Sequence, residues 1–462
     1  MDKLTNDPGK LHRGWEQNNL IHRLCHALEI ASLTVEHLVP GGFIDPKNTS
    51  AIIRPEKPIA DTAMLLHGAT LAIKHLEVNT RIHRVARQLA PHARSAQIRL
   101  GMALSPALAF DYSLAHIVLS RLGYPDASFD KLLDQCRAAQ VRASRERVPH
   151  RMLEQEWIDS LWKESGSTDH RRLEHLARLS ILSRPLDVFA ATDDDLYAFT
   201  HAIMYVTGFQ HNPALLPRSR AALLGEAEAV LVRCLDAQDY DLAGEILLAW
   251  PLTGKHWSPI ATFAFQVLAE VEDKAGFLPT PTTRLSELEA RQGSDRTNYL
   301  LATAYHTAYV MGLLCAAVLQ PGCAPPAGIS TRRGAPGSAR QLLPFLDDSG
   351  NAPHWRDTFD KLNSTQADAL ASMLLNIALQ RSAARRDFTA LDKILRLGHT
   401  LGLADTPAAS QAAELLERVA HCASTLPQTP LPMPDTRVPQ DSPSAKPALL
   451  LSKSIIEPLQ AP

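Results

Sequence analysis

No convincing stretch of this 462-residue chain alternates apolar and polar side chains between turn signals, whereas apolar residues recur at three- and four-residue spacing through most of it. A half-buried strand needs period two and an amphipathic helix needs period 3.6. The pattern therefore predicts an all-α fold without a substantial sheet. From Trp15 to about Val39, Leu20, Ile21, Leu24, Leu28, Ile30, Ala31 and Leu38 keep helical spacing until Pro40-Gly41-Gly42 stops them. Further helices are expected at Pro58–Val78, Thr80–Met102, Pro106–Leu122 and Phe129–Val141, the last with Ser128 as N-cap. Others follow at Pro149–Ser165, Asp169–Leu182, Pro185–Ala191, Arg218–Ala237, Asp239–Trp250, Pro259–Ala275, Asp295–Leu319, Thr365–Ala384, Phe388–Leu401 and Ala408–Ala423.

The expected organisation is a loose leader over residues 1–14, a helical-hairpin domain over 15–425 and a Pro-rich, mobile tail over 426–462. Residues 320–352 are rich in Pro, Gly and Ser and contain Arg332 and Arg333; they read as a long loop, either a lid or disordered. In the tail, ALLLSKSII is apolar enough to dock on the body or on a protein partner.

Composition narrows the function. A net charge of −2 gives no basic footprint for nucleic acid. The six cysteines form no CxxC pair, which argues against a zinc ribbon and fits a reducing cytoplasm. The start of the chain lacks the apolar core of a signal peptide. The longest apolar run, Tyr299–Leu319, carries His306 with several Thr and Tyr, and reads as a buried helix rather than a membrane span.

One stretch carries its own punctuation. In TDDDLYAFTHAIMYVTGF, Thr192–Phe209, Thr192 is placed to cap the helix and Asp193, Asp194 and Asp195 suit its positive end. Gly208 suits its left-handed stop. Tyr197, His201 and Tyr205 at i, i+4 and i+8 share one face, so an imidazole lies between two phenols. Upstream, YSLAHIVLSRLG (Tyr112–Gly123) repeats the Tyr, His and Gly spacing around His116. Downstream, YHTAYVMG (Tyr305–Gly312) repeats it in part around His306. Recurrence at this interval predicts helical hairpins, in an open solenoid or in a closed ring around a central pocket.

The central stretch, YDLAGEILLAW (Tyr240–Trp250), the AGFLP step (Ala275–Pro279) and YHTAYVMGLL (Tyr305–Leu314) resemble an uncharacterised bacterial family over about residues 15–320. Its members share an acidic–Tyr–x–x–Thr–His helix and a Tyr–His–Thr helix, and often lie beside genes for peptide or other specialised metabolites. The architecture is similar to the α/α-toroid enzymes, among them terpene cyclases, prenyltransferase β-subunits and lanthionine cyclases. Their signatures are missing: Asp193–Tyr197 fails DDxxD at its last position, Thr192 stands where DxDD needs Asp, and His421-Cys422 is the only adjacent Cys–His pair.

The candidate site follows from these residues. His201, His306 and His116, if the echo marks equivalent helices, would converge on one divalent transition metal, zinc, copper or iron. Packing of repeated helices explains the same three histidines without a metal. Tyr197 or Tyr205 would orient a ligand or substrate, and Glu245, alone in an apolar helix, is costly to bury unless paired or ligating. His150 with Glu154 could line the rim, and Trp157, Trp162, Trp250, Trp257 and Trp355 either wall a substrate pocket or fill the core. The expected function is a metal-dependent tailoring enzyme acting on a peptide or small metabolite. The alternative is a non-catalytic binding or scaffold protein.

Overall fold

The computed structural model describes residues 16–39, 43–44, 52–139, 146–162, 170–209, 215–254, 256–331, 335–346 and 353–425. The chain forms two compact units, residues 1–416 and 417–462. The first holds the helical body; of the second, only the last turns of the final helix are described. The expected leader, the Arg332-Arg333 pair and the Pro-rich tail with its apolar segment lie outside the described residues.

The fold is all-α. Among the described residues the helices run α1 (Gln17–Glu36), α2 (Glu56–Ala69), α3 (Leu76–Ala93), α4 (Ala96–Leu104), α5 (Ala109–Arg121), α6 (Ala127–Ala138) and α7 (Pro149–Trp162). They continue as α8 (His170–Leu179), α9 (Asp193–Thr207), α10 (Arg220–Asp236), α11 (Tyr240–Leu247), α12 (Ala249–Thr253), α13 (Pro259–Ala275) and α14 (Leu285–Glu289). The last are α15 (Gly293–Val318), α16 (Ser338–Leu342), α17 (His354–Phe359), α18 (Ser364–Ala369), α19 (Ala371–Ala384), α20 (Phe388–Thr400) and α21 (Pro407–Thr425). Phe43–Ile44 pairs antiparallel with Ile52–Ile53, two residues a side.

Three differences from the expected elements have local causes. Asp126, not Ser128, caps α6, because its carboxylate accepts from the amides of both Ser128 and Phe129 at 3.0 Å. Pro185–Ala191 makes turns instead of a helix: the Asp187 side chain takes the amides of Phe189 and Ala190 and competes with helical bonding. Part of the expected long loop is folded. Asp368 accepts from the amides of Gly337 (2.8 Å) and Ala339 (3.0 Å), which satisfies free donors at the start of α16.

α9 is built as its sequence reads. Thr192 and Asp195 form a reciprocal capping box, and Gly208 closes the helix at φ 63°. α15 is the apolar helix read as buried. It is long and apolar enough to cross a membrane, yet 83% of its most apolar window is covered by the rest of the protein. It packs on α1, α2 and α11. Side by side in space, α15 meets α2, α2 meets α5, α5 meets α7, α7 meets α9, α9 meets α11, and α11 returns to α15.

Two glycines allow close approaches to α15 and its neighbours. A Cβ at Gly312 would meet Ala27 Cβ at 2.6 Å, so α15 lies flush on α1. A Cβ at Gly244 would meet Val310 Cγ1 at 2.6 Å, so α11 lies equally close to α15. The second contact carries Asp241 and Glu245 to His306. The tryptophans serve the core: Trp157, Trp250 and Trp355 are buried, Trp157 stacks on Tyr205, and Trp250 stacks on Trp257.

Candidate metal centre

α11 starts at Asp239, whose carboxylate caps it by accepting from Leu242 N at 3.2 Å. Asp241 and Glu245 follow one turn apart, so their carboxylates leave the same face. Both are buried, and burying such groups is unfavourable unless they find partners. α9 supplies the first partners. Tyr197 donates its phenol proton to Asp241 Oδ2 at 2.8 Å, and Thr200 donates its hydroxyl to Glu245 Oε2 at 2.6 Å. Each carboxylate is thus held by one oxygen while the other, Asp241 Oδ1 or Glu245 Oε1, is turned inward. Asp241 Oδ1 is buried with no hydrogen-bond partner.

α15 brings His306 to those two free oxygens. Its Nε2 lies 3.7 Å from Asp241 Oδ1 and 3.7 Å from Glu245 Oε1, and the three atoms are all within 4.8 Å of one another. On the other side of Glu245 Oε1, His201 Nε2 lies at 3.5 Å. His201 Nδ1 is buried and has no partner. These separations are too long for strong hydrogen bonds. They are near the about 3.4 Å edge of a tetrahedron whose bonds are ~2.0–2.2 Å, as around zinc. The chain's own residues therefore fit a divalent ion at this point, with Asp241, Glu245 and His306 as its ligands and His201 beside it.

α2 supplies the next layer. Asp61 Oδ2 accepts from His306 Nδ1 at 3.1 Å, from Tyr305 OH at 2.8 Å and from Lys57 Nζ at 2.9 Å. An ionised carboxylate only accepts, so Nδ1 carries a proton and Nε2 is the nitrogen offered to the centre. On the α7 side, Glu154 accepts from Tyr205 OH at 3.0 Å and from Arg151 at 2.8 Å, and the His150 ring stands 6.3 Å from that of His201.

The electrostatics follow from this crowding. Burial alone would lower the His306 pKa, but Asp241 and Asp61 outweigh burial and the Lys57 charge and raise it to about 10. Burial works against the charge on Glu245 as well, yet the two imidazoles hold its pKa well below the usual carboxylate range. Asp241 moves the other way, raised by burial and by the neighbouring Glu245. His150 is lowered to about 4 by burial, Arg151 and His201, and so stays neutral. Burial and adjacent carboxylates push the phenols of Tyr197, Tyr205 and Tyr305 up, and all three remain proton donors.

The residues named from sequence are partly brought together. His201, His306, Glu245 and Tyr197 share one site, and Tyr205 borders it through Glu154. His116 does not join them. Arg94 Nε, which can only donate, bonds its Nδ1 at 3.1 Å, and its Nε2 faces Asp130 Oδ1 at 2.7 Å. Both ring nitrogens are thereby used, and the ring stacks on Phe129 with centroids 4.2 Å apart. The echo around His116 marks a packing motif. Asp193 and Asp194 are exposed, and Asp195 is taken up in the cap of α9. Sequence reasoning missed Asp241 and Asp61. The D-x-x-x-E spacing in YDLAGEILLAW was the available signal for Asp241. Nothing local marks Asp61, which becomes a site residue only when α2 meets α15.

Space at the centre is limited. Beside Glu245 and Thr200, the side chains of Phe199, Ile203, Ile246, Leu248 and Ala249 pack closely enough to leave no room for a water molecule. Among known proteins, no curated protein and no solved structure matches the chain. Residues 26–316 match a family described as a domain of unknown function (DUF6895). That span holds every residue of the centre, and the chain belongs to this family.

Proposed function

We propose that this protein is a metal-dependent enzyme acting on a small metabolite or on the end of a peptide. Its ion is a divalent transition metal held by Asp241, Glu245 and His306. One observation carries the reading: two buried carboxylates, each tethered by a hydroxyl of α9, turn their remaining oxygens toward the same imidazole nitrogen at 3.7 Å. A set of two carboxylates and one imidazole suits zinc or iron(II) better than copper(I), which prefers sulfur ligands. Such an ion would act as a Lewis acid on a substrate oxygen at an open position. The chain's own part is to hold the ligands, to keep three phenols as proton donors around the crevice, and to place His201 at its edge.

The second reading is a non-catalytic helical body that binds a partner. One observation favours it. A protonated His306 between Asp241 and Glu245 offsets part of their charge without an ion, so the cluster alone can tie α9, α11 and α15 together. Metal analysis after stripping and reconstitution with zinc, iron(II) or manganese(II) separates the two. The expected result is one ion per chain in the wild type and none in Glu245→Ala or His306→Ala. Wild-type protein that takes up no ion would overturn the metal reading.

A further inference from the structure

Lys57 differs from the other charged groups of the crevice. Its side chain is 57% exposed, whereas Asp61 beneath it is 14% exposed and Glu245 is 3% exposed. Its ammonium gives one bond, to Asp61 Oδ2 at 2.9 Å, and stands 5.9 Å from the centre of the Tyr305 ring. An ammonium has three donors. Asp61 Oδ2 already accepts from Tyr305 and His306, so it does not need the lysine to be satisfied. The charge is nevertheless within electrostatic reach of Asp241 and Glu245. An anionic ligand reaching the ion meets this charge, and a cationic one is repelled by it.

Resting on the metal reading, we infer that the ligand of this centre carries a carboxylate or phosphate group, one oxygen of which reaches the ion while another pairs with Lys57 Nζ. Lys57 is then the residue that selects anions over neutral molecules of the same shape. Arg151, at the opposite flank beside His150, is committed to Glu154 at 2.8 Å and is a poorer candidate for the same task.

The test uses the full chain loaded with cobalt(II), whose visible absorption reports on its ligands. Acetate, inorganic phosphate and neutral acetamide are titrated into the wild type, Lys57→Gln and Lys57→Arg. Glutamine keeps an N–H for Asp61 and removes the charge, and circular dichroism checks the fold of each variant. The expected result is that acetate or phosphate binds the wild type at least tenfold more tightly than acetamide. The preferred anion identifies which of the two groups the ligand carries. Lys57→Gln loses at least tenfold in anion affinity with little change for acetamide, and Lys57→Arg retains most of it. Equal anion affinity in the wild type and Lys57→Gln, or acetamide binding as tightly as the anions, overturns this inference while the metal reading stands. Wild-type protein that takes up no cobalt overturns both.

Discussion

Asp61 accepts the Nδ1 proton of His306 at 3.1 Å, and this bond decides which ring nitrogen faces Asp241 and Glu245. Without it the ring could turn or present its other tautomer. Partners of this kind are typically worth ~10–100-fold in metal affinity. Asp61→Asn is expected to weaken zinc binding by that factor, measured by competition with a chromophoric chelator. Unchanged affinity would show that His306 is oriented by other means.

The two hydroxyls of α9 can be removed one at a time. Tyr197→Phe leaves Asp241 Oδ2 without its donor, and Thr200→Val does the same to Glu245 Oε2. A buried acceptor left bare costs about 1–3 kcal/mol. Urea unfolding of the metal-free proteins should show losses of this size, together with weaker metal binding. If both variants unfold at the wild-type midpoint, the tethers are not what holds the carboxylates.

Gly244→Ala tests the approach of α11 to α15. The new methyl would sit 2.6 Å from Val310 Cγ1, so the Val310 side chain or one of the helices must shift. Overpacking of this kind costs roughly 1–3 kcal/mol. Ion affinity should fall with stability, because the same contact sets the distance from Asp241 and Glu245 to His306. The double variant Gly244→Ala, Val310→Ala should recover part of both. A single variant as stable and as tightly loaded as the wild type would remove the close contact from the account.

His67 predicts a pH dependence away from the site. Its ring packs edge-on against Trp157 and Phe209, and burial, then the charge of Arg121, lower its pKa to about 4. In the unfolded chain the pKa is near 6.5, so between these values the unfolded state binds more protons. Stability from the neutral ring is complete above pH ~6.5 and is lost as pH falls toward 4, by at most on the order of 3 kcal/mol. Comparing His67→Leu with the wild type by urea unfolding at pH 7, 5.5 and 4.5 should show the wild type losing more stability on acidification. Parallel losses would exclude His67 as the cause.

How much of this could be read from the chain differs by element. α9 was fully legible, because Thr192, Asp195 and Gly208 are local devices that act wherever the helix packs. The all-α class was legible from periodicity for the same reason. The joining of His201 with His306 and Glu245 was legible from residue type, since an imidazole or carboxylate in an apolar helix needs a partner. His116 satisfied the same sequence rule and met a different fate, because Arg94 and Asp130 come from other helices and left no mark near it. Asp61 was illegible in the opposite sense. It is an ordinary polar residue on an amphipathic helix until α15 supplies Tyr305 and His306, 244 and 245 positions away. Cap chemistry is written within four residues; pairing between helices is not.

The residues of the centre are spread from Asp61 to His306. During synthesis the first carboxylate leaves the ribosome long before the imidazole it will orient. No partial chain ending before α15 can assemble the ligand set. Any ion held there would therefore be loaded after the chain has closed on itself, and would act as a late clasp on a nearly finished molecule rather than as a seed around which it folds.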